Sequence, residues 1–138
     1  MPTAGDTLEV RPDAAELARM REFVKGQADA CGLPAHKSFE ACLVATEAVT
    51  NAIRHGRGPG GGQEPIEVRC GREPRGFFIE VGDHGRFVPP SSSGAEDIGG
   101  RGLGVIKRLT QRFDLETGDA GTHLRMLLGF PECQDQTA

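Results

Sequence analysis

The longest regular pattern in the sequence is an apolar stripe that predicts one long helix from about Pro34 to His55. Pro34 is tolerated in a first turn, and Gly56 offers a stop directly after His55. At 1.5 Å per residue such a helix is about 30 Å long, which is enough to cross a whole domain. Six residues at the i, i+3, i+4 spacing form its predicted inner face: Phe39, Cys42, Leu43, Thr46, Val49 and Ile53.

Shorter patterns on both sides of this helix indicate two more helices and five strands. Asp13 is a suitable helix cap with Glu16 three residues later, and Gly32 would end the helix that follows. A third helix is predicted over 103–112, and strands over 7–11, 66–70, 76–81, 113–117 and 122–128. This order predicts an α/β sandwich (α+β) in which a mixed, mostly antiparallel sheet carries helices on one face.

Composition and charge restrict the class of protein. A chain of 138 residues predicts a single domain, 1–138, and the net charge of -4 disfavours nucleic acid as a direct partner. No apolar run approaches the roughly 20 residues needed to cross a bilayer, and Met1 to Val10 do not resemble a secretory signal. The four cysteines form no C-x-x-C pair, so we expect reduced thiols in a cytoplasmic protein.

Two polar residues lie beside the apolar stripe of the long helix. Glu47 and Asn51 are four residues apart and therefore share one side of the helix, which His55 continues. A carboxylate placed towards a core is costly unless something pairs with it or needs it. The pair could simply fix helix packing. Alternatively, Glu47 could accept a proton from an attacking hydroxyl group while Asn51 holds Mg²⁺.

Two glycine-containing segments are candidates for binding a ligand. Asp83 follows a predicted strand between Gly82 and Gly85, and its carboxylate could accept a hydrogen bond from an exocyclic amine such as that of adenine. Gly99 to Gly104 precede the third helix, where exposed backbone N–H groups favour anions and Arg101 could clamp a phosphate. Taken singly, the first segment could be an ordinary turn and the second a flexible hinge.

Together these segments resemble, in order, the three conserved boxes of GHKL ATPases. Glu47–Gly56 resembles the N box, Asp83–Gly85 the G1 box, and Gly100–Gly104 the G2 box that follows an ATP lid. Thr122 is similar to the threonine that supports adenine binding. The resemblance covers roughly residues 8 to 130. Within that superfamily the chain resembles anti-sigma-factor serine kinases of the RsbW and SpoIIAB type.

The resemblance implies a Bergerat-type ATP-binding fold with a core over about 8–130, an ATP lid over about 86–101 and a polar tail over 131–138. It implies that Glu47 is the catalytic base, that Asn51 binds Mg²⁺ and that Asp83 reads adenine in bound ATP. The other nucleotide-binding positions it implies are His55, Gly85, Gly100, Arg101, Gly102, Leu103, Gly104 and Thr122.

The same resemblance implies an ATP-dependent protein serine kinase that acts as an anti-sigma factor. Its expected substrate is a serine of a STAS-domain anti-anti-sigma protein. A sigma factor and a second copy of the chain are further expected partners. The alternative is a catalytically silent protein that sequesters a sigma factor or another partner under the control of a nucleotide.

Overall fold

The computed structural model describes residues 4–55, 64–83, 104–118 and 121–129. A 3-10 turn at Ala14–Glu16 leads into helix α1, Leu17–Ala30, and helix α2 is Ala35–His55. The described part of helix α3 is 104–109. The five strands are β1, Ala4–Val10; β2, Ile66–Glu73; β3, Gly76–Asp83; β4, Arg112–Gly118; and β5, Gly121–Gly129. The predicted lid over 86–101 and tail over 131–138 lie outside the described residues.

The five strands form one sheet in the order β1-β2-β3-β5-β4. All four neighbouring pairs are antiparallel. The described strands therefore form a purely antiparallel sheet, whereas the sequence predicted a mixed, mostly antiparallel one. The third helix stops earlier than predicted, because the Gln111 amide donates to the Leu127 carbonyl and Arg112 already pairs with β5. The predicted α/β sandwich is confirmed.

Helices α1 and α2 cover one face of the sheet. Met20 and Val24 of α1 are fully buried there, as the helical spacing predicts, in one core cluster with Val68 and Cys70 of β2, a strand on which α1 packs. The predicted inner face of α2 is wrong in part, because Phe39 is 68% exposed and Leu43 is 36% exposed. The buried positions of α2 are instead smaller residues, rotated about the helix axis: Ser38, Ala41, Val44, Ala45, Ala48 and Val49.

Local hydrogen bonds fix the 3-10 turn that leads into α1, and a glycine follows the end of α1. The Asp13 side chain accepts from the Ala15 amide at 2.9 Å, as expected of a capping residue. The Glu16 carboxylate accepts from the backbone amide of Arg11 at 2.9 Å, two residues before the position that a reciprocal capping box would use. Gly32, with φ +89°, ends the helix segment in a conformation that favours glycine.

Phe78 is fully buried although it points to the face of the sheet opposite the helices. Its cross-strand neighbour in β2 is Gly71, which pairs with Gly5 of β1. The ring reaches so far across these glycines that a Cβ on Gly5 would lie 2.8 Å from Phe78 Cζ. The guanidinium groups of Arg69 and Arg125 lie 5.0 and 5.2 Å from the ring centroid, so Phe78 is covered by cation–π contacts.

The two arginines over Phe78 are held by carboxylates. Arg125 contacts Glu73 at 2.7 Å and Glu80 at 2.9 Å, and Arg69 contacts Glu80 at 3.3 Å. These pairs lie on three adjacent strands, β2, β3 and β5. The outer face therefore carries a cross-strand ion-pair network above a buried aromatic ring.

Cys70, in the middle of β2, gives the fold a pH dependence. Burial raises the pKa of its thiol from 9.0 to about 12. The neutral thiol is thus favoured in the folded state, and its contribution to stability is complete below pH 9 and lost as the pH rises towards 12. Between these values we expect the free energy of unfolding to fall by up to about 1.4 kcal/mol per pH unit because of this group.

Urea unfolding from about pH 8 to pH 11 would measure this dependence. The Cys70→Ala variant should lack this component of the decline, whatever its stability at neutral pH. Equal slopes in the two proteins would contradict the assignment to Cys70.

Candidate nucleotide-binding site

Helix α2 extends along β3 and places its C-terminal half at one end of the sheet. Lys37 and Glu40, near the start of α2, line a small cavity together with Gly129, the last residue of β5. Because β3 and β5 are antiparallel, Gly129 pairs with Gly76 at the beginning of β3. The other end of α2, with Glu47 and Asn51, therefore lies towards the end of β3.

Asp83 and Thr122 meet at that end of the sheet. They are directly opposite each other in the register of β3 and β5. Both alternate with buried residues that face the helices, Ile79 and Val81 in β3 and Leu124 in β5, so their side chains project to the α2 side. Two residues that were selected from separate motifs, 39 positions apart in the chain, are thus cross-strand neighbours.

Glu47 and Asn51 are half-buried on α2. One turn of about 6 Å separates them along the helix axis, so both side chains can reach one ligand. Neither side chain forms a hydrogen bond or an ion pair within the part of the chain that the structure describes. By contrast Glu40, seven residues before Glu47, is 3.4 Å from Lys37 Nζ. A half-buried carboxylate that no described residue pairs is unusual for a purely structural residue and suits a proton acceptor.

The predicted phosphate-binding glycines lie mostly outside the described residues. Gly85, Gly100, Arg101, Gly102 and Leu103 are in this group, and their roles stay predictions. Gly104 begins the described part of α3, where a Cβ would meet no atom within 4 Å. His55 is the last residue of α2, and the role of its side chain also stays a prediction.

The described residues limit how a metal ion could be bound at this site. They contain no cluster of three or more His, Cys, Asp or Glu side chains that could hold a metal by themselves. The Asn51 amide oxygen, which is unpaired within this part of the chain, fits a different arrangement in which phosphate oxygens supply most of the ligands of Mg²⁺. No described helix is both long and apolar enough to span a membrane.

The family model of the histidine kinase-like ATPase domain matches residues 10–128, which include both long helices, strands β2 to β4, β5 up to Leu128 and every candidate site residue. The chain belongs to the histidine kinase-like ATPase family. This membership implies that it binds ATP and agrees with the ordered boxes. No curated protein matches the chain.

Solved structures share the fold of this ATPase domain. The RsbU and RsbW domains of Rv1364c from Mycobacterium tuberculosis align with a TM-score of 0.71 and 16% identity, over 94% of this chain and 33% of that chain. The blue-light activated histidine kinase of Erythrobacter litoralis EL346 aligns with a TM-score of 0.63 and 20% identity, over 90% and 43%. The histidine kinase domain of the latter protein gives a TM-score of 0.56 and 18% identity, over 89% and 62%.

The chain therefore spans less than two thirds of the length of each of these structures. At such identities the likeness shows a common fold. It also agrees with the arrangement found here, in which helices cover one face of an antiparallel sheet.

One surface feature could not be found from the sequence. The side of α2 that carries Glu47 also carries the exposed Phe39 and Leu43. Apolar periodicity placed both in the core, and the only signal against that placement was the row of small residues at Ala41, Ala45 and Ala48. Such a row permits close packing of the helix on the sheet.

Proposed function

We propose that this ATPase domain is a protein serine kinase that acts as an anti-sigma factor and phosphorylates a serine on a STAS-domain antagonist. The observation that carries the proposal is the half-buried carboxylate of Glu47, which has no partner among the described residues and lies one helical turn from Asn51, at the Asp83–Thr122 end of the sheet. A domain that only binds a nucleotide has no need of a base at this position. The resemblance to RsbW-type kinases supports the choice of a protein serine as acceptor.

In this proposal Glu47 orients the serine hydroxyl and accepts its proton as the oxygen attacks the γ-phosphorus of ATP. The bond from the γ-phosphorus to the bridging oxygen breaks, and ADP leaves with the electron pair. Asn51 would hold Mg²⁺, which supplies charge neutralisation at the phosphates. Positioning by the protein accounts for most of the catalysis, because phosphoryl transfer requires little covalent chemistry from side chains.

Transfer from labelled ATP tests this function. The purified chain is incubated with ATP, Mg²⁺ and, in turn, each purified STAS-domain protein of the source organism, followed by mass spectrometry of the STAS protein. We expect a single phosphoserine that depends on ATP and on the chain. ATP-dependent binding without any phosphorylation would overturn the kinase proposal in favour of a silent, nucleotide-gated binding protein.

Asp83 is proposed to accept a hydrogen bond from the exocyclic amine of adenine. A hydrogen bond to a charged group is worth about 1.5–3 kcal/mol, so Asp83→Ala should raise the Kd for ATP by roughly 10- to 150-fold. GTP has a carbonyl group at the corresponding position, which a carboxylate repels. The variant should therefore also discriminate less between ATP and GTP.

Calorimetric titration of both nucleotides measures these changes. Asp114→Ala is a matched control, because this carboxylate lies on β4 with 56% of its side chain exposed and contacts Arg112. ATP affinity that is lost equally in both variants, or unaltered in Asp83→Ala, would refute the assignment.

A further inference from the structure

The outward side of α2 carries an apolar pair beside the proposed base. Phe39 is the most exposed large hydrophobic residue in the described part of the chain, at 68%. Leu43, one turn later, is 36% exposed. Residues four apart on a helix are surface neighbours, so the two side chains form one continuous patch, called here the α2 patch.

The α2 patch is the side of the helix that the described part of the fold leaves open. Ser38 and Cys42 face α1, since Ser38 Oγ donates to Asp29 at 2.6 Å and Cys42 Sγ donates to the Arg21 carbonyl at 3.5 Å. The alanines and valines of α2 face the sheet. Thr46 Oγ1 donates to the carbonyl of Cys42 at 2.7 Å within the same helix, so its hydroxyl proton is already used.

The α2 patch continues directly to Glu47. Leu43 is four residues before Glu47, which places the patch about 6 to 12 Å along the helix axis from the carboxylate. A small molecule can reach Glu47 without touching this patch. A folded acceptor that brings a serine to Glu47 comes within about two helical turns of Phe39 and Leu43, a distance that a protein–protein interface of ordinary size spans.

Charge beside the α2 patch restricts the chemistry of that partner. Arg21 is exposed on α1 next to Cys42 and forms no ion pair with the described residues. The adjacent Lys25 is neutralised by Asp29 at 2.7 Å. A surface with an apolar centre and a carboxylate opposite Arg21 would match this edge.

We propose that the α2 patch is the docking surface for the serine-bearing acceptor protein, which contacts it through an apolar side chain flanked by a carboxylate. The inference rests on the proposed function, because Glu47 is taken as the base that the acceptor serine must reach. It assigns Phe39 and Leu43 to recognition of the acceptor, separate from nucleotide binding.

Steady-state phosphorylation of the purified STAS-domain proteins, with acceptor and ATP varied independently, tests the docking surface. The Phe39→Asp/Leu43→Asp double variant should raise the KM for the acceptor about tenfold or more, because truncation of a central apolar contact removes much of the binding energy. We expect kcat at saturating acceptor and the Kd for ATP to stay within about twofold of wild type, since neither residue is placed at the site. The milder Phe39→Ala/Leu43→Ala variant should also raise the KM for the acceptor.

Leu115→Asp is the control for a general effect of an added surface charge. Leu115, on edge strand β4, is 37% exposed, about the same as Leu43. The Leu115→Asp variant should phosphorylate the acceptor with the wild-type KM and kcat. An unchanged acceptor KM in the α2 variants, or a fall in kcat alone, would overturn the docking surface.

Direct binding separates this proposal from the kinase proposal. If the wild type binds a STAS protein without phosphorylating it, the kinase proposal fails. The docking surface then stands if the double variant weakens the Kd about tenfold, and falls if the Kd is unaltered. Failure of the wild type to bind any of these proteins would also overturn the docking surface.

Discussion

Replacing Glu47 by alanine is expected to slow phosphoryl transfer to a protein serine by about 10²- to 10⁴-fold, which is the usual contribution of a general base. ATP affinity should change little, because the proposed role of Glu47 is exercised on the acceptor hydroxyl. Single-turnover transfer from labelled ATP, together with a nucleotide titration, separates the two effects. The Glu47→Gln variant should behave similarly, since the amide keeps the shape of the side chain and removes the basic oxygen.

Glu40→Ala is a matched control on the same helix. Glu40 is half-buried like Glu47 but lies 3.4 Å from Lys37 Nζ at the opposite end of the sheet. It should keep wild-type transfer apart from a small loss of stability. A Glu47→Ala protein that transfers phosphate at an unimpaired rate would exclude Glu47 as the base, and ATP binding lost in parallel would indicate a structural role instead.

Replacing Phe78 by alanine is expected to lower the free energy of unfolding by about 3–5 kcal/mol, the range found for truncation of a buried aromatic residue. The ring is fully buried over Gly71 and Gly5 and beneath Arg69 and Arg125. Its removal leaves a cavity on the outer face of the sheet and takes away two cation–π contacts. For a domain of ordinary stability this is a large fraction of the total.

Denaturant unfolding measures this loss, with Phe39→Ala as the matched control. The substitution is identical, but Phe39 is 68% exposed and its removal should change stability by less than about 0.5 kcal/mol. Equal losses at the two positions would contradict the burial of Phe78. Arg125→Ala should lie between them, because it uncovers the ring while leaving the Arg69 contact in place.

The elements of the fold that depend on neighbouring residues were predictable from the sequence. The Asp13 cap, the Gly32 stop and the two hairpins are local, and the helices and strands appear close to their predicted bounds. The order of the strands was not predictable in the same way, because β1 pairs with β2 across some 60 residues, as in Leu8 with Val68. Such pairings are decided by the packing of the whole domain.

The candidate site shows the same division. The spacing of Glu47 and Asn51 on one helix was readable directly, whereas the pairing of Asp83 with Thr122 depends on the register between β3 and β5. Periodicity also placed Phe39 and Leu43 in the core, although the helix turns its alanines to the sheet. Strand alternation directs Phe78 away from the helices, but its burial depends on glycines in two other strands.

The strand order has a consequence for how the chain is made. During synthesis α1 and α2 are complete before any residue of β2 to β5 has been added, so Met20, Val24 and Val44 have almost none of the surface that finally covers them. Strand β1 likewise has no strand to pair with until β2 has been synthesised. The nascent chain therefore exposes an apolar helix pair until translation passes the last strand, and this interval is when it is most open to chaperones and to aggregation.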